Sequence, residues 1–296
     1  MSSLNPDLID DIAMRRAALF IGAGVSSGAV TKAGKRIRQW ADFLSDVAKN
    51  IGEPDVREHA ERMIKEKDYL MACELIREAV GSQSWEVSLM DEFAQIGSVT
   101  SLHKALISLR QRIIVTTNFD KFLEAAWSDI NKDATHYPKT EISITDESFK
   151  AFRDNREYIF KIHGSIDDPS SIIFSRSDYN QKAYGNWAYT KFVETMLLTH
   201  TIIFIGFSLN DPAISYILEM YAQHLPKARP HYIFLSEPVS QQYIEISKRL
   251  RRIFIIPYNN KNNHEELTSL IEDLGAQASE RRREIIATEW SAIKHV

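Results

Sequence analysis

Short runs of almost continuously apolar residues recur along the chain, and stretches with the 3.6-residue periodicity of helices separate them. Six such runs cover residues 17–21, 113–117, 158–162, 201–205, 231–235 and 253–256. An apolar run without polar alternation is typical of a strand covered on both faces, as in a parallel sheet. The pattern therefore predicts an α/β fold: a Rossmann-like, open, mostly parallel sheet with helices on both faces. Residues 172–174 are a candidate for a further short strand.

Helical periodicity also dominates two regions outside this alternation. From about residue 54 to 101 the pattern is helical throughout, so we expect a helical subdomain at 42–100, inserted into one domain that spans 1–296. From residue 275 the chain is charged but keeps apolar residues at helical spacing: Ile285, Ile286, Trp290 and Ile293. This predicts a C-terminal helix (275–296) that packs either on its own domain or on a partner.

Composition narrows the class of protein. Lys and Arg number 36 and Asp and Glu number 40, a net charge of −4, so no basic excess is available to hold a nucleic acid. The single cysteine, Cys73, excludes an intramolecular disulfide and a multi-cysteine zinc site, and we expect no metal. The first fifteen residues are polar and acidic, and no apolar run approaches the roughly 18 residues of a membrane span. We therefore expect a cytoplasmic protein.

A glycine-rich loop follows the first predicted strand. Residues 22–27 have the sequence GAGVSS, in a G-x-G-x-x-S spacing that lacks the third glycine of the dinucleotide fingerprint. Gly22 and Gly24 permit close approach of backbone N–H groups to a phosphate, and a following helix N-terminus favours an anion. The alternative interpretation is a tight strand-to-helix turn without a ligand.

Polar residues follow three more of the predicted strands, at the edge where open α/β sheets place their ligands. Asn118 and Asp120 stand two apart after residues 113–117. They are suited to hydrogen-bond ribose hydroxyls or a water, although either of them is also a candidate N-cap of the next helix. Gly206, Ser208 and Asp211 follow residues 201–205 and form either a second backbone wall against a phosphate or ribose, or a helix cap.

His163 is the most informative of the nine histidines. It follows residues 158–162 and precedes Gly164 and Ser165, at a strand end and in front of a turn. An ordinary imidazole pKa near 6.5 suits general-base catalysis at neutral pH, and one ring nitrogen at such a place can face a cleft. The other histidines are interpreted as core or surface residues.

The four motifs GAGVS, TTNFD, KIHGS and GFSLND, in this order, resemble the sirtuin-like NAD-binding family, and most closely its bacterial branch from anti-phage defence, whose members degrade NAD. The resemblance spans residues 17–258. The resemblance implies that the NAD pyrophosphate and nearby ribose are lined by Gly22, Ala23, Gly24 and Ser26. It also implies that Asn118 and Asp120 face the nicotinamide ribose and its water, and that His163 is the catalytic histidine. By the same resemblance, Gly206 and Ser208 contact the adenosine half of NAD, and Asp211 holds that turn.

The chain also departs from the sirtuin deacylases. These carry a four-cysteine zinc module, whereas this chain has one cysteine. The leading hypothesis is therefore an NAD glycohydrolase that yields nicotinamide and ADP-ribose. In it His163 acts as general base, Asn118 positions the water, and Asp120 holds the loop or the ribose. We expect its activity to be gated by oligomerisation or by a partner defence protein.

Two other hypotheses stay open at this point. One is a non-catalytic module that senses NAD or ADP-ribose and regulates a partner. The other is an NAD-dependent deacylase or ADP-ribosyltransferase, although no acceptor can be inferred from the sequence.

Overall fold

In the computed structural model, which describes residues 4–207 and 212–293, seven parallel strands form one sheet. The strands are β1 (Ala17–Ile21), β2 (Ile113–Thr116), β3 (Lys139–Glu141), β4 (Tyr158–Lys161), β5 (Thr201–Ile205), β6 (His231–Ser236) and β7 (Ile253–Tyr258). Their order is β3-β4-β2-β1-β5-β6-β7, and every neighbouring pair is parallel. The predicted Rossmann-like α/β fold is confirmed.

Helices connect the strands. They are α1 (Pro6–Ala13), α2 (Trp40–Ala48), α3 (Pro54–Lys65), α4 (Tyr69–Val80), α5 (Ser82–Phe93), α6 (Ser101–Ser108), α7 (Phe122–Ile130), α8 (Arg176–Asp178), α9 (Trp187–Thr199), α10 (Pro212–His224), α11 (Gln241–Arg251) and α12 (Lys261–Ile293). Side-chain caps fix several starts: the Asn5 side chain accepts from the N–H of Asp7 at α1, and Thr100 accepts from that of His103 at α6. Among the described residues no helix combines the length and apolarity needed to span a bilayer.

Both faces of the sheet are covered by helices. Along β1 the buried side chains alternate between two apolar clusters. Ala18 and Phe20 pack on the side of α9 and α10, and Leu19 and Ile21 on the side of α1, α6, α7 and α12. This double burial explains why the strand is apolar at every position.

The helices α2 to α5 share a third apolar cluster rich in aromatic rings. Phe43 contacts Trp85 and Phe93, with ring centroids 5.6 and 5.4 Å apart. Phe174 joins this cluster to Phe119 in the loop after β2, at 5.3 Å. The helical periodicity predicted for this region is confirmed, and its assignment as an insertion at 42–100 stays a prediction.

Two strand assignments differ from the sequence prediction. Residues 172–174, expected as a short strand, are not a strand; they are apolar because all three are buried. Ile173 donates its N–H to the carbonyl of His163 (3.0 Å), so the segment packs beside the turn after β4 without joining the sheet. Conversely β3 escaped prediction, since Lys139 and Thr140 are polar and exposed at the sheet edge.

The C-terminal helix contacts the domain that precedes it. Ala278 is buried, Arg281 Nε lies 2.7 Å from Asp10 Oδ1, and Arg282 Nε donates to the carbonyl of Ala13 (2.8 Å). Ile285 is half-buried against the same apolar cluster as α1, so packing on its own domain, one of the two predicted alternatives, holds as far as residue 285. Ile286 is exposed, and the predicted contacts of Trp290 and Ile293 lie outside the described side chains.

Candidate active site

The four motif-bearing strands end in one row at the carboxyl-terminal edge of the sheet. Lys161, Thr116, Ile21 and Ile205 are register partners across β4, β2, β1 and β5. The ladder continues one residue further through three hydrogen bonds: Ile162 N–H to Thr116 O (3.0 Å), Thr117 N–H to Ile21 O (3.2 Å) and Gly22 N–H to Ile205 O (2.9 Å). The loops that carry the candidate residues therefore leave the sheet side by side.

The loops after β1 and β5 touch backbone to backbone. Gly24 donates its N–H to the carbonyl of Gly206 at 2.9 Å. A Cβ atom at Gly22 would lie 2.4 Å from that carbonyl oxygen, and one at Gly206 (φ +63°) would lie 2.5 Å from the nitrogen of Val25. These glycines are thus required for close approach of the two loops, at the point where the strand order reverses and open α/β sheets form their ligand crevice.

This packing limits the predicted phosphate donors. The N–H groups of Gly22 and Gly24 already donate to Ile205 and Gly206, so in this conformation they serve the turn. The N–H of Ala23 has no backbone acceptor among the described residues, and Ala23 and Gly24 are exposed at the loop tip. The predicted roles of Ser208 and Asp211 lie outside the described residues.

Asn118, Ser26 and Asp120 form a hydrogen-bonded chain that links the loops after β1 and β2. Asn118 Nδ2 donates to Ser26 Oγ (3.2 Å) and to the carbonyl of Gly22 (3.3 Å). Ser26 Oγ donates to Asp120 Oδ2 (2.9 Å), and Asp120 Oδ1 accepts from the N–H of Phe122 (3.1 Å). The N-cap residue of α7 is Lys121, so neither Asn118 nor Asp120 is the predicted N-cap. Asp120 instead accepts from the first N–H of α7 and ties the two loops together, with each carboxylate oxygen in use.

The other amide atom of Asn118 has no such partner. Asn118 is 8% exposed, its N–H donates to Thr116 Oγ1 (3.0 Å), and its Oδ1 accepts no hydrogen bond from the described residues. A buried acceptor without a donor costs about 1–3 kcal/mol. A bound water or hydroxyl group that donates to Asn118 Oδ1 would recover this free energy.

Lys161 is a residue of this site that the sequence prediction did not select. It is 1% exposed, and its Nζ donates to the main-chain oxygen of Asp120 and to Glu124 Oε1 (3.2 Å). The ammonium thus braces the Asn118–Asp120 loop against β4. A lysine within an otherwise apolar strand was the available signal, because a buried lysine requires partners.

His163 lies in the turn after β4 and is 1% exposed. Its Nε2 is 3.4 Å from the hydroxyl of Tyr189, and its ring meets that of Tyr179 edge to face at 5.3 Å. The following Gly164 has φ +85°, and a Cβ there would lie 2.4 Å from the carbonyl oxygen of Ser171. The conformation of the turn therefore requires a glycine directly after His163. No sequence pattern pointed to the two tyrosines.

A second histidine, His103 on α6, lies near this network. Burial lowers the pKa of His103 to about 4, and the nearby Asp120 carboxylate opposes this shift. Its Nδ1 is 2.7 Å from Thr100 Oγ1, and its ring packs on Phe122 at 5.3 Å. His103 is therefore neutral at pH 7.

The chemical character of the site follows from these contacts. It combines a buried imidazole and a buried amide oxygen at the ends of neighbouring strands, with a carboxylate that serves the scaffold. Within residues 4–207 and 212–293, no group of three or more His, Cys, Asp or Glu side chains is placed to hold a metal ion. His163 is 1% exposed and Asn118 8%, so both side chains are nearly covered in this conformation.

Comparison with protein families identifies one domain. The SIR2-like domain family matches residues 112–265. The matched segment includes Asn118, Asp120, His163 and Gly206, and it begins after the glycine loop of β1.

Curated relatives match most of the chain. It is 29% identical over 236 residues to the NAD(+) hydrolase ThsA of Enterococcus faecium, covering 77% of this chain and 45% of that protein. It is 27% identical over 284 residues to the NAD(+) hydrolase ThsA of Bacillus cereus (strain MSX-D12), covering 90% and 55%. It is 22% identical over 281 residues to Defense-associated sirtuin 2 of Bacillus subtilis, covering 90% and 26%. The chain spans about half the length of the NAD(+) hydrolases it matches.

Proposed function

The chain belongs to the SIR2-like domain family, and on this premise we propose that it is an NAD⁺ hydrolase that cleaves NAD⁺ to nicotinamide and ADP-ribose. The names of its ThsA relatives support this activity. The observation that carries the proposal is the buried, unpartnered Oδ1 of Asn118 at the same sheet edge as His163. Asn118 has an oxygen that can accept a hydrogen bond, and His163 has an imidazole that can accept a proton.

The proposed reaction breaks the bond between ribose C1′ and the nicotinamide nitrogen. The bonding electrons leave with nicotinamide, which loses its positive charge, and the ribose develops oxocarbenium character. A water held by Asn118 Oδ1 adds to C1′. His163 accepts the proton that this water loses, either directly or through a ribose hydroxyl that gives its proton to His163 and takes one from the water.

The remaining candidate residues bind and orient the substrate in this proposal. The loop of Gly22, Ala23, Gly24 and Ser26 lies along the pyrophosphate and nearby ribose, with the N–H of the exposed Ala23 as its phosphate donor, and Gly206 and Ser208, with Asp211 holding their turn, lie at the adenosine half. Phosphate contacts far from the reacting bond orient it and reduce the entropic cost of reaching the transition state. Ser26 and Asp120 act through Asn118, because the carboxylate oxygens of Asp120 are already engaged within the protein.

The burial of His163 supports a gated enzyme. We propose that the described conformation is closed and that a partner protein or self-assembly opens it, in a cytoplasmic role that depletes NAD⁺ during anti-phage defence. Gating protects the host, since uncontrolled hydrolysis would drain its NAD⁺.

The end of α12 is the proposed assembly contact, because Ile286 is exposed there. A chain truncated after Glu284 keeps the Arg281 and Arg282 contacts with α1. Size-exclusion chromatography should show a larger assembly for the full chain than for the truncated one; identical elution would remove the tail from the proposal.

A second candidate function is a non-catalytic sensor of NAD⁺ or ADP-ribose. The closed surroundings of His163 favour it, since a sensor needs no access for water. Analysis of products from NAD⁺ by mass spectrometry separates the candidates. Free ADP-ribose and nicotinamide are expected. Tight NAD⁺ binding without products would favour the sensor, and O-acyl-ADP-ribose or ADP-ribosylated protein would favour a deacylase or a transferase.

A further inference from the structure

A cavity of about 490 Å³ lies at the opposite, amino-terminal edge of the sheet. Residues of α6, β2, α7, β4 and α12 line it. The four residues of β2, at about 3.3 Å each, place it roughly 13 Å from the candidate active site. Its volume lies within the range of about 300–1,000 Å³ that is usual for small-molecule pockets.

The cavity carries an excess of positive charge. Arg110 and Arg282 line it, and neither forms an ion pair with any residue in the described part of the chain. Arg282 donates instead to the carbonyls of Ala13 (2.8 Å) and Ile12 (3.2 Å). Burial lowers the pKa of the Arg282 guanidinium, and the nearby positive charges of Arg15 and Arg110 lower it further.

One carboxylate lines the cavity, and its oxygens are already in use. Glu157 Oε1 pairs with Arg15 Nη2 at 2.9 Å, and its Oε2 accepts from Trp127 Nε1 at 3.0 Å. Glu157 therefore neutralises Arg15 and leaves the charges of Arg110 and Arg282 uncompensated. This is notable in a chain whose net charge is −4.

A buried amide supplies an acceptor for a donor group. Gln111 lines the cavity and is 3% exposed. Its Nε2 donates to the carbonyls of Ile12 (3.0 Å) and Leu109 (2.8 Å), so the side chain is fixed. Its Oε1 accepts no hydrogen bond from any described residue, which is costly for a buried oxygen.

Flat rings complete the lining. Trp127 and His136 both line the cavity, with ring centroids 6.1 Å apart, and Trp127 is held in place by its bond to Glu157. Aromatic faces of this kind favour offset or edge contacts with another ring. Isoleucine side chains supply apolar parts of the wall: Ile107, Ile114, Ile130 and Ile159.

We propose that this cavity is a second binding site, for a phosphorylated small molecule that carries an aromatic ring with an N–H or O–H donor. Arg110 and Arg282 bind the phosphate, Gln111 Oε1 accepts from the ring's donor, and the ring packs against Trp127. Guanidinium groups suit this role, because they bind phosphate oxygens through paired N–H donors. Arg110 supplies such a pair, and Arg282, whose Nε and Nη2 donate to main-chain carbonyls, supplies its Nη1. The site goes beyond the proposed hydrolase activity and does not depend on it.

The experiment uses the isoleucine methyl groups as local reporters. The full chain is labelled at isoleucine δ1 methyls and titrated with AMP, and separately with ribose 5-phosphate, which lacks the ring. Methyls of Ile107, Ile114 and Ile130 report the cavity, and those of Ile21 and Ile205 report the opposite edge. Arg110→Gln is the test variant. Arg62→Gln, an exposed position on α3, is the control with the same loss of charge.

We expect AMP to shift the cavity methyls, with a dissociation constant that Arg110→Gln raises at least about tenfold and Arg62→Gln leaves unchanged. Ribose 5-phosphate should shift the signals of the same methyl groups, with a higher dissociation constant than AMP. Shifts confined to Ile21 and Ile205, or no shifts, would overturn the second site. Equal binding of both probes would overturn the role of the ring. Nicotinamide release by the same variants reports on the other edge, so failure of one proposal is distinguishable from failure of the other.

Discussion

Ser26 Oγ donates to Asp120 Oδ2 at 2.9 Å and thereby joins two loops that are 94 residues apart in the chain. The same hydroxyl accepts from Asn118 Nδ2 at 3.2 Å, so one serine orients both a carboxylate and an amide. Because all three side chains are buried, these bonds form in a medium where they are strong and where an unpaired partner is costly. The orientation of Asn118 Oδ1 therefore depends on Ser26.

Replacing Ser26 should affect catalysis more than substrate binding. In Ser26→Ala, Asp120 Oδ2 loses its donor and Asn118 loses one of two anchors, so we expect a loss of about 1–3 kcal/mol in the free energy of unfolding. We also expect at least a tenfold fall in kcat for nicotinamide release, roughly the effect of small misplacements. Ser27→Ala is the control, since Ser27 Oγ donates to the carbonyl of Gly24 in an exposed bond and has no other partner within residues 4–207 and 212–293. Equal effects of both variants would contradict the relay through Ser26.

The buried pair of Lys161 and Glu124 should be important for stability. Lys161→Met leaves Glu124, whose side chain is 20% exposed, without its cation, and leaves the carbonyl of Asp120 without that donor. We expect a loss of about 3 kcal/mol in the free energy of unfolding by denaturant, at the low end for a broken buried pair. Lys121→Met, which breaks the exposed pair with Asp167, should cost less than about 1 kcal/mol. Similar costs for the two variants would show that Lys161 is not a brace.

The contact between the glycine loops predicts a strong effect at Gly206. Gly206→Ala places a side chain at φ +63° and within 2.5 Å of the Val25 nitrogen. Left-handed backbone and steric overlap together should cost at least about 2 kcal/mol in the free energy of unfolding. Gly52→Ala, where a Cβ meets no atom within 4 Å, should stay within about 0.5 kcal/mol. An unchanged free energy of unfolding in Gly206→Ala would mean that the two loops separate easily.

Buried histidines predict a loss of stability in mild acid. Burial, with a smaller effect of Arg252, lowers the pKa of His231 to about 3. Above the ordinary pKa of 6.5 both the folded and the unfolded chain hold this histidine neutral. Below 6.5 only the unfolded chain takes up the proton, so stability falls with pH until the folded pKa is reached. At pH 5 this difference is about 2 kcal/mol.

The measurement compares denaturant unfolding at pH 7 and pH 5. His231→Asn removes the titration and retains an acceptor for the N–H of Ile202, which donates to His231 Nδ1 at 3.1 Å. From pH 7 to pH 5 the free energy of unfolding of the variant should fall by about 2 kcal/mol less than that of the wild type. A smaller fall should remain, because His103 and His200 contribute in the same direction. The exposed His59→Asn variant should behave as wild type. An unchanged pH dependence in His231→Asn would contradict the assignment.

The sheet and its candidate functional edge were predictable because strands that are buried on both faces are apolar at every position. Residues 17–21 and 201–205 are apolar at every position, and their polar successors had to meet at one edge of a parallel sheet. The same rule misled at residues 172–174, where apolarity reflects packing of a non-strand segment against the turn of His163. The burial of residues 172–174 was predicted correctly, but their expected hydrogen bonding as a strand was not.

Other features depend on contacts between distant segments. The phosphate interpretation of Gly22 and Gly24 assumed free N–H groups, but the loop after β5 supplies acceptors for them. Tyr189 reaches His163 from α9, 26 residues away, without any motif that marks it. The arginine-lined cavity combines Arg110 with Arg282 from the far end of the chain. Local patterns carry no information about such pairings.

Nicotinamide release from NAD⁺ tests the central claim most directly. The purified wild type is compared with His163→Ala, Asn118→Ala and the control His59→Ala, with folding of each verified by denaturant unfolding. Loss of a general base or of the residue that positions water should each lower the rate at least about 100-fold, while His59→Ala keeps it. Release by a folded His163→Ala variant at the wild-type rate would contradict the proposed mechanism.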